Sequence, residues 1–447
     1  MISNRQAQYR FVVLKIPLIL LCCAALSACS KQPTSELERL EMDANRGDAA
    51  AQSRLGFMYA YGQGVPKNET KAFEWYQKAA AQGDPTVQSI LALMFADGTG
   101  VPKDENKAFE WYLKAAAQGY AVAQFLVACR YAEGEGVTKD ETKSVEWFQK
   151  AAAQGDVAAQ FRLGFIYAQG RGVPKDEAKA VEWISKAANQ GDAAAQVNLG
   201  MMYFDGTGVQ KDDAKAAEWF KKAAAQGNAL GQTKLGLIYE GGYGGILKDD
   251  TKAVEWYQKA ANQGDSLGQL FLGQAYAKGT AVPKDDIKAV EWFEKAANQG
   301  NPLAQSSLGS MYFGGTGVPK DEERAGEWFK KAATQGDAAG QFKLGGMYFY
   351  GTGISKDEAQ AAAWFEKAAV QGDGNAQFYL GIMYADGTGV PKDDIRAYAW
   401  FNLAAANGIS NSRQRRDEIE RRLSPEQKAE AQKFSAELFE KIKKRKQ

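Results

Sequence analysis

Histidine is absent from this sequence of 447 residues. Its absence removes the commonest general base of enzymes and the most frequent protein ligand of zinc, so histidine-dependent catalysis is excluded. Cysteine is scarce, with four residues, and the formal net charge is only +1. No segment has the pattern of a β-strand. The remaining composition, 45% hydrophobic and 24% charged, supplies ample apolar material for a folded core.

The N-terminus has the pattern of an export signal. Three basic residues precede an apolar run over residues 16–28, which is too short to span a bilayer but fits a signal peptide. The run ends in Leu-Ser-Ala-Cys, which resembles the lipobox of bacterial lipoproteins. The resemblance implies a lipid on Cys29 and, because Ser30 is not acidic, sorting to the outer membrane. The alternative is ordinary cleavage near Ala28, which would release a soluble periplasmic or secreted protein.

The ten tryptophans mark an internal repeat. They follow one another at intervals of 36 residues, except for one interval of 37 between Trp219 and Trp256. A period of this length is typical of solenoid proteins and overrides the number of globular domains that chain length alone would suggest. Ten repeats therefore extend over residues 48–408, and the extra residue falls in the sixth, in a loop that begins near Glu240.

Each repeat predicts two α-helices, as residues 156–191 illustrate. Asp156 is a good N-cap for the first helix, and Gly170 ends it. Asp176 caps the second helix, in which Trp183 and several alanines recur at helical spacing and predict an apolar, core-facing stripe. We call the first helix of each repeat helix A and the second helix B. The sequence thus predicts an all-α fold.

A glycine-rich loop joins helix A to helix B. Apart from the sixth repeat, whose loop carries the extra residue, Gly-Xaa-Gly occurs in eight repeats, for example at Gly98 and Gly100, and the seventh repeat has Ala281 instead of the second glycine. A phosphate-binding glycine loop follows a β-strand, whereas these loops follow a helix, so we predict tight turns rather than ligand sites. Glycines inside helix A, such as Gly164, are predicted to let helices approach closely. Gln52 and its equivalents are predicted to form hydrogen bonds between helices.

Candidate catalytic residues do not emerge from this repeated background. No pair of carboxylates stands out as an acid and a base. Once the signal is removed and Cys29 is lipidated, Cys129 is the only thiol left and forms no internal disulfide. It occupies a position that other repeats fill with Phe57 or Phe165, which favours a packed thiol over a nucleophile. We predict no catalytic residues, no metal and no cofactor.

The repeat pattern A.Q..LG..Y..G.GV.KD..KA.EW..KAA.QG resembles the Sel-one-like repeat family, which is related to the tetratricopeptide repeats. The resemblance covers residues 48–408 nearly without a break. It implies a right-handed α-solenoid and, for bacterial members, an adaptor or scaffold role in the envelope, in secretion or in host contact. Some members are described as binding or acting on penicillin-like and peptidoglycan compounds. Those members carry regular cysteine pairs, which this chain lacks.

Four parts make up the predicted organisation. Residues 1–28 are a lipoprotein signal peptide, 29–47 a linker and N-terminal capping helix, 48–408 the repeats, and 409–447 C-terminal capping helices with a basic tail. Caps are expected because terminal repeats expose a face that inner repeats bury, and Ser424 begins a capping-box sequence. The last part holds twelve Lys or Arg and seven Asp or Glu. We interpret it as a solvated helix end, and predict that nucleic acid is not a partner.

Partner contacts are predicted on helix A. In tetratricopeptide-like solenoids the first helices line the concave surface, which such proteins use for binding. Aromatic residues beside Arg or Lys are typical interface anchors. Packing against neighbouring repeats is the alternative role for each of them. The candidate contacts are Phe125, Phe161, Arg162, Phe165, Phe342, Lys343, Phe378 and Tyr379.

The sequence therefore predicts a non-catalytic scaffold or adaptor for protein–protein interaction. A lipid anchor would hold it in the bacterial outer membrane, facing the periplasm, with one or more envelope or secreted proteins as partners. Two alternatives stay open: a peptidoglycan- or β-lactam-binding periplasmic protein with weak hydrolytic activity, and a virulence factor that contacts host cells.

Overall fold

The computed structural model describes residues 34–446. This range contains 23 α-helices and no β-strand. The predicted signal peptide and Cys29 lie outside the described residues. The chain divides into two compact parts, an N-terminal half that ends at Lys211 and a C-terminal half that begins at Asp212. None of the described helices is both long enough and apolar enough to cross a membrane.

The helices are numbered in chain order. After the first one, they alternate between helix A and helix B through repeat 10. The N-terminal half contains α1 (Thr34–Asn45), α2 (Ala49–Tyr61), α3 (Glu69–Ala80), α4 (Pro85–Asp97), α5 (Glu105–Ala117), α6 (Ala121–Glu133), α7 (Glu141–Ala153), α8 (Val157–Gln169), α9 (Glu177–Asn189) and α10 (Ala193–Asp205).

The C-terminal half contains α11 (Asp213–Ala225), α12 (Ala229–Gly241), α13 (Asp250–Asn262), α14 (Ser266–Lys278), α15 (Asp286–Asn298), α16 (Pro302–Gly314), α17 (Glu322–Thr334), α18 (Ala338–Tyr350), α19 (Glu358–Ala369), α20 (Gly374–Asp386), α21 (Asp394–Ala406), α22 (Ser412–Glu420) and α23 (Pro425–Lys446).

Side-chain caps fix where the helices begin. In repeat 4, Asp156 accepts a hydrogen bond from the Ala159 amide at 2.7 Å, and Asp176 accepts one from the Lys179 amide at 2.9 Å. Such caps satisfy amides that have no partner inside the helix. Helix A ends at Gly170, whose left-handed φ of 69° suits a residue without Cβ. The predicted helix boundaries of this repeat are therefore confirmed.

Glycine inside helix A provides the contact with helix B. A Cβ on Gly56 would lie 2.8 Å from the Tyr76 ring, and one on Gly345 would lie 2.7 Å from the Phe365 ring. The glycine thus lets a large side chain of helix B lie directly against the helix A backbone. This confirms the predicted close approach and explains why glycine is kept despite its low helix propensity.

The loop glycines join consecutive repeats as well as turning the chain. Gly172 has a φ of 67°, and a Cβ there would lie 2.6 Å from the carbonyl oxygen of Glu141, in helix B of the preceding repeat. The loop therefore packs against the first turn of that helix. The sixth loop also keeps the pair, at Gly242 and Gly244, despite its extra residue, so nine repeats have both glycines. Ala281 adopts a φ of 58° at the equivalent position.

Buried glutamines connect helices through hydrogen bonds. Gln160 donates to the Ala152 carbonyl at 3.2 Å, and its own side-chain oxygen accepts from Gln190 at 2.8 Å. The same pair of bonds forms at Gln341, with Ala333 and Gln371. Gln160 and Gln341 thus each join helix B of the preceding repeat to both helices of their own repeat. The predicted structural role is confirmed.

The tryptophans are less buried than the apolar stripe predicts. Nine of the ten are half-buried, and the ammonium group of the lysine three residues later lies 3.7–4.2 Å from each ring centroid. The fully buried side chain is the one that follows each tryptophan, such as Ile184 or Phe220. Trp183 and its counterparts therefore lie at the edge of the core, beneath a cation.

Helices α22 and α23 cover the last repeat. Trp400 is only 3% exposed, and it shares a core cluster with Ile419, Leu438 and Ile442. Helix α23 begins with a reciprocal cap, in which the Ser424 amide donates to Gln427 at 3.0 Å and the Gln427 amide donates to Ser424 at 3.2 Å. The predicted capping box is confirmed.

Candidate partner-binding surface

The predicted contact residues lie on helix A of repeats 3, 4, 9 and 10, and they differ in exposure. Phe125 on α6 is 5% exposed, and its ring centroid lies 5.5 Å from that of Phe148 on α7. Its ring is therefore packed in the core, which is the alternative role named for these residues, and its contact with a partner stays a prediction. The sequence could not reveal this burial, because the equivalent position of repeat 2 holds the small polar residue Ser89, which gives no sign of a core position.

In repeat 4, Phe161 and Phe165 lie one turn apart on α8. Their rings contact each other edge to face, with centroids 4.9 Å apart, and both are half-buried. Arg162 between them is exposed. Phe161 and Phe165 thus form a small aromatic pair at the surface of the N-terminal half, and Arg162 lies beside it.

The C-terminal half brings its predicted residues together more closely. Tyr379 on α20 stacks on Phe365 with centroids 5.3 Å apart, and it also contacts Phe342 at 5.9 Å. Its hydroxyl lies 2.9 Å from that of Tyr350 at the end of α18. Phe378 instead leans toward Phe401 in the core of repeat 10, at 5.6 Å. The sequence-predicted pair of Phe342 and Tyr379 therefore lies at the centre of an aromatic cluster.

A cavity of about 150 Å³ opens beside this cluster. Phe313 and Tyr350 flank its mouth and are 39% and 61% exposed, whereas Phe329 and Phe365 in its floor are almost wholly buried. Gly346 also lines it, and a Cβ at that glycine would meet no atom within 4 Å. We call this site the repeat 9 cavity; it is lined by Phe313, Phe329, Phe342, Lys343, Gly346, Met347, Tyr350, Thr352, Phe365 and Tyr379.

The electrostatics of the cavity are simple. Lys343 is the only charged residue among its lining residues, it is exposed, and it forms no salt bridge within residues 36–444. The hydrogen bond with Tyr350, together with burial, raises the pKa of Tyr379 to about 12. The phenol is therefore neutral at physiological pH, and the site combines an apolar interior with one positive charge at its rim.

Several cavity residues were not identified from the sequence. Repeat 9 ends helix A with Phe349 and Tyr350, where repeat 10 has Ala385 and Asp386. It also has Gly346 where repeat 10 has Ile382. Comparison of each helix A position across the ten repeats would have singled out repeat 9, because it loses a large side chain and gains two aromatic ones.

Two observations describe the reactive side chains of the described residues. Burial raises the pKa of Cys129 to about 12, so its thiol stays protonated at neutral pH and is a poor nucleophile. Within residues 34–446 no group of three His, Cys, Asp or Glu could hold a metal ion. A narrow second pocket holds Tyr257, which donates a hydrogen bond to Glu240 at 2.5 Å. Its polar groups lie around a water-sized space of about 40 Å³.

The family profile described as "Sel1 repeat" matches ten consecutive segments of the chain: 49–84, 86–120, 121–156, 157–192, 193–228, 229–265, 266–301, 302–337, 338–373 and 374–409. These segments coincide with the ten helix pairs. No curated protein matches the chain.

Two solved structures are similar over most of the chain. One is c5321, described as a protective antigen of uropathogenic Escherichia coli with an SLR fold; the two chains are 39% identical, with a TM-score of 0.79, and the match covers 92% of this chain and 88% of the other. The second is a Sel1 repeat protein from Oxalobacter formigenes, which is 34% identical with a TM-score of 0.58 and coverages of 70% and 91%. These similarities confirm the predicted all-α solenoid class.

Proposed function

Because this chain belongs to the Sel1 repeat family, we propose that it is a protein-binding scaffold held at the bacterial cell envelope, without catalytic activity of its own. Proteins built from such repeats generally serve as scaffolds for protein interaction. The reason is geometric, since stacked helix pairs present an extended surface on a rigid framework.

The aromatic cluster around Tyr379 is the observation that carries this proposal. Tyr350 and Phe313 are large, exposed and adjacent to a cavity, whereas the equivalent ends of helix A in repeats 2 and 10 carry alanine and aspartate. Exposed tyrosine and phenylalanine around a pocket are typical of the residues that dominate the binding energy of protein interfaces. We therefore assign the partner-binding surface to repeats 8–10, and Lys343 to its rim.

The envelope location rests on the Leu-Ser-Ala-Cys motif that ends at Cys29. A lipid on that cysteine would anchor the protein in the outer membrane, facing the periplasm. Cys29→Ala should shift the protein from the membrane fraction to the soluble fraction, as followed by immunoblot after cell fractionation. Ser27→Thr serves as a control that keeps the cysteine. Unchanged membrane association of Cys29→Ala would contradict the anchor and favour a different mode of attachment.

A cross-linked pull-down from whole envelopes tests the scaffold function. The tagged mature protein is compared with Tyr350→Ala, and enriched proteins are quantified by mass spectrometry. Tyr61→Ala is a matched control, because Tyr61 also ends helix A and is 51% exposed. We expect one or two proteins to be enriched by the wild type and by Tyr61→Ala, but lost with Tyr350→Ala. Enrichment of none, together with bound glycan fragments, would favour the peptidoglycan-binding alternative.

Contact with host cells is a second candidate function, and the description of c5321 as a protective antigen supports it. Antibodies reach only the surfaces that a living cell exposes, so this candidate function requires exposure on the cell. If the present protein shares that exposure, protease added to intact cells should degrade it. Full protection until the outer membrane is permeabilised would support the periplasmic orientation instead.

A further inference from the structure

The repeat 9 cavity has the size of one aromatic ring. Its volume of about 150 Å³ is comparable to that of engineered apolar protein cavities that bind benzene. The floor is made of side chains that the fold itself buries, since Phe329 is 1%, Phe365 0% and Met347 2% exposed. An apolar group entering from the surface would therefore contact ring faces and a thioether.

The cavity exists because one side chain is missing. Repeats 4, 6 and 10 carry Phe165, Leu237 and Ile382 at the helix A position that Gly346 occupies in repeat 9. The fold accommodates a large apolar side chain at that position elsewhere. The cavity opens to solvent, and its lining is largely apolar. Replacing water there with an apolar group is favourable, so the missing side chain points to a complementary group from another molecule.

The mouth of the cavity indicates a polypeptide rather than an isolated ring. Phe313 on α16, Tyr350 on α18 and Tyr379 on α20 surround it. Phe313 and Tyr350 leave apolar surface exposed beyond the space that a single ring fills. A chain that continues on both sides of an inserted ring would cover this surface, and the hydroxyls of both tyrosines could bond its backbone.

Lys343 determines the charge of that chain. It is exposed, it is the only charged lining residue, and no carboxylate pairs with it within residues 36–444. The lysine of the following loop, by contrast, is paired: Lys356 lies 2.7 Å from Glu358. Neighbouring residues of a peptide are about 3.8 Å apart, so an acidic residue next to the inserted ring would come close to the Lys343 ammonium group.

We propose that the repeat 9 cavity binds the ring of a single phenylalanine or tyrosine in a segment of a partner protein, and that an aspartate or glutamate adjacent to that residue pairs with Lys343. The inference rests on the proposed scaffold function and specifies what the scaffold recognises. The aromatic ring supplies most of the binding free energy through burial, and the carboxylate selects among aromatic segments.

Fluorescence anisotropy with short labelled peptides tests this inference on the mature full-length protein. One peptide has Phe-Asp at its centre, a second has Ala-Asp and a third has Phe-Lys, in an otherwise identical serine and glycine sequence. We expect saturable binding of the Phe-Asp peptide. Binding of the Ala-Asp peptide should be at least about tenfold weaker, and binding of the Phe-Lys peptide about fivefold weaker, in keeping with an exposed ion pair.

Variants of the protein assign the binding to the cavity. Gly346→Leu should fill it and abolish binding of the Phe-Asp peptide without lowering the thermal midpoint, because the added side chain has space. Gly346→Ala should weaken binding less. Lys343→Glu should reverse the preference, so that the Phe-Lys peptide binds more tightly than the Phe-Asp peptide. Lys234→Glu, at the equivalent position of repeat 6, is the matched control and should leave both affinities unchanged.

Several outcomes would overturn the inference. One is that no peptide binds saturably, and another is that Gly346→Leu binds the Phe-Asp peptide as tightly as the wild type does. A third is that free phenylpropionate binds as tightly as the Phe-Asp peptide, which would assign the cavity to a small aromatic acid. A different result would contradict the scaffold function itself, namely that the wild type enriches no envelope protein. If an envelope protein is captured by Gly346→Leu but not by Tyr350→Ala, the scaffold stands and the cavity inference falls.

Discussion

Two consecutive residues of helix B have different roles although both are large and apolar. Trp292 is half-buried, and the ammonium group of Lys295 lies 3.7 Å from its ring centroid. Phe293 is 3% exposed, and its ring lies against Gly273 of helix A. The tryptophan closes the edge of the core and supports a charged surface, whereas the residue after it fills the space between the two helices.

Substitution of these two residues should therefore have unequal effects. Phe293→Ala should lower the free energy of unfolding by about 3–5 kcal/mol, as expected for truncation of a buried aromatic side chain. Trp292→Ala should cost about 1–2 kcal/mol, because it removes partial burial and a cation–π contact worth about 0.5–1 kcal/mol at an exposed site. Urea denaturation followed by circular dichroism gives both values. If Trp292→Ala lowers the free energy of unfolding more than Phe293→Ala does, the tryptophan is a core residue and this interpretation is wrong.

Cys129, which is half-buried, makes a second prediction at this scale. Its pKa is raised to about 12, so the thiolate is disfavoured in the folded protein at all pH values below that. In a form that begins at Ser30, Cys129 is the only thiol. Iodoacetamide at pH 8 should modify the native protein at least about a hundredfold more slowly than the urea-unfolded protein. Equal rates would show that the thiol is exposed or activated.

The apolar stripe could not distinguish tryptophan from its neighbour, because adjacent helix residues are separated by only about 100° around the axis and share the same period. A finer signal was present in the sequence. Lysine follows nine of the ten tryptophans by three residues, and Leu403 takes its place after Trp400. A cation one turn away marks a residue near the surface, and its loss marks the one tryptophan that α22 and α23 cover.

At the scale of elements, the glycine loop has two functions, and the sequence predicted only one of them. The turn follows from residue type, since positive φ favours glycine. The contact of Gly172 with Glu141 depends on how one helix pair lies against the one before it. That arrangement is a property of stacked repeats and cannot be derived from one repeat alone.

Substitutions in this loop should change stability in opposite directions. Ala281→Gly should stabilise the protein by about 0.5–1 kcal/mol, because alanine at a φ of 58° is strained. Gly353→Ala, at the equivalent position of repeat 9, should destabilise it by more than about 1 kcal/mol, because the new Cβ would lie 2.5 Å from the Glu322 carbonyl oxygen. Thermal unfolding by circular dichroism compares the two. Destabilisation by Ala281→Gly would mean that the methyl group contributes packing that outweighs the strain.

For the whole molecule, the repeat period predicted more than local propensity could. Regular tryptophan spacing placed all ten helix pairs, and the family profile and the solved relatives agree with it. The candidate partner-binding surface was harder to predict, because it depends on residues of repeat 9 that differ from those of the other repeats. Phe342, Lys343 and Tyr379 were identified as aromatic or basic variants on helix A, but the cavity beside them arises from the absence of a side chain at Gly346.

The C-terminal helices should be required for stability of the last repeat, because they cover an apolar face that another repeat would otherwise bury. Leu438 is 8% exposed and belongs to the cluster that contains Trp400, whereas its neighbour Phe439 is 50% exposed. Leu438→Asp places a charge in that cluster and should detach α23, since burying an unpaired carboxylate is strongly unfavourable. We expect increased binding of an apolar fluorescent dye, faster proteolysis within residues 425–446 and a lower thermal midpoint. Phe439→Asp is the matched control and should change none of these. Equal behaviour of the two variants would mean that α23 contributes nothing to the last repeat.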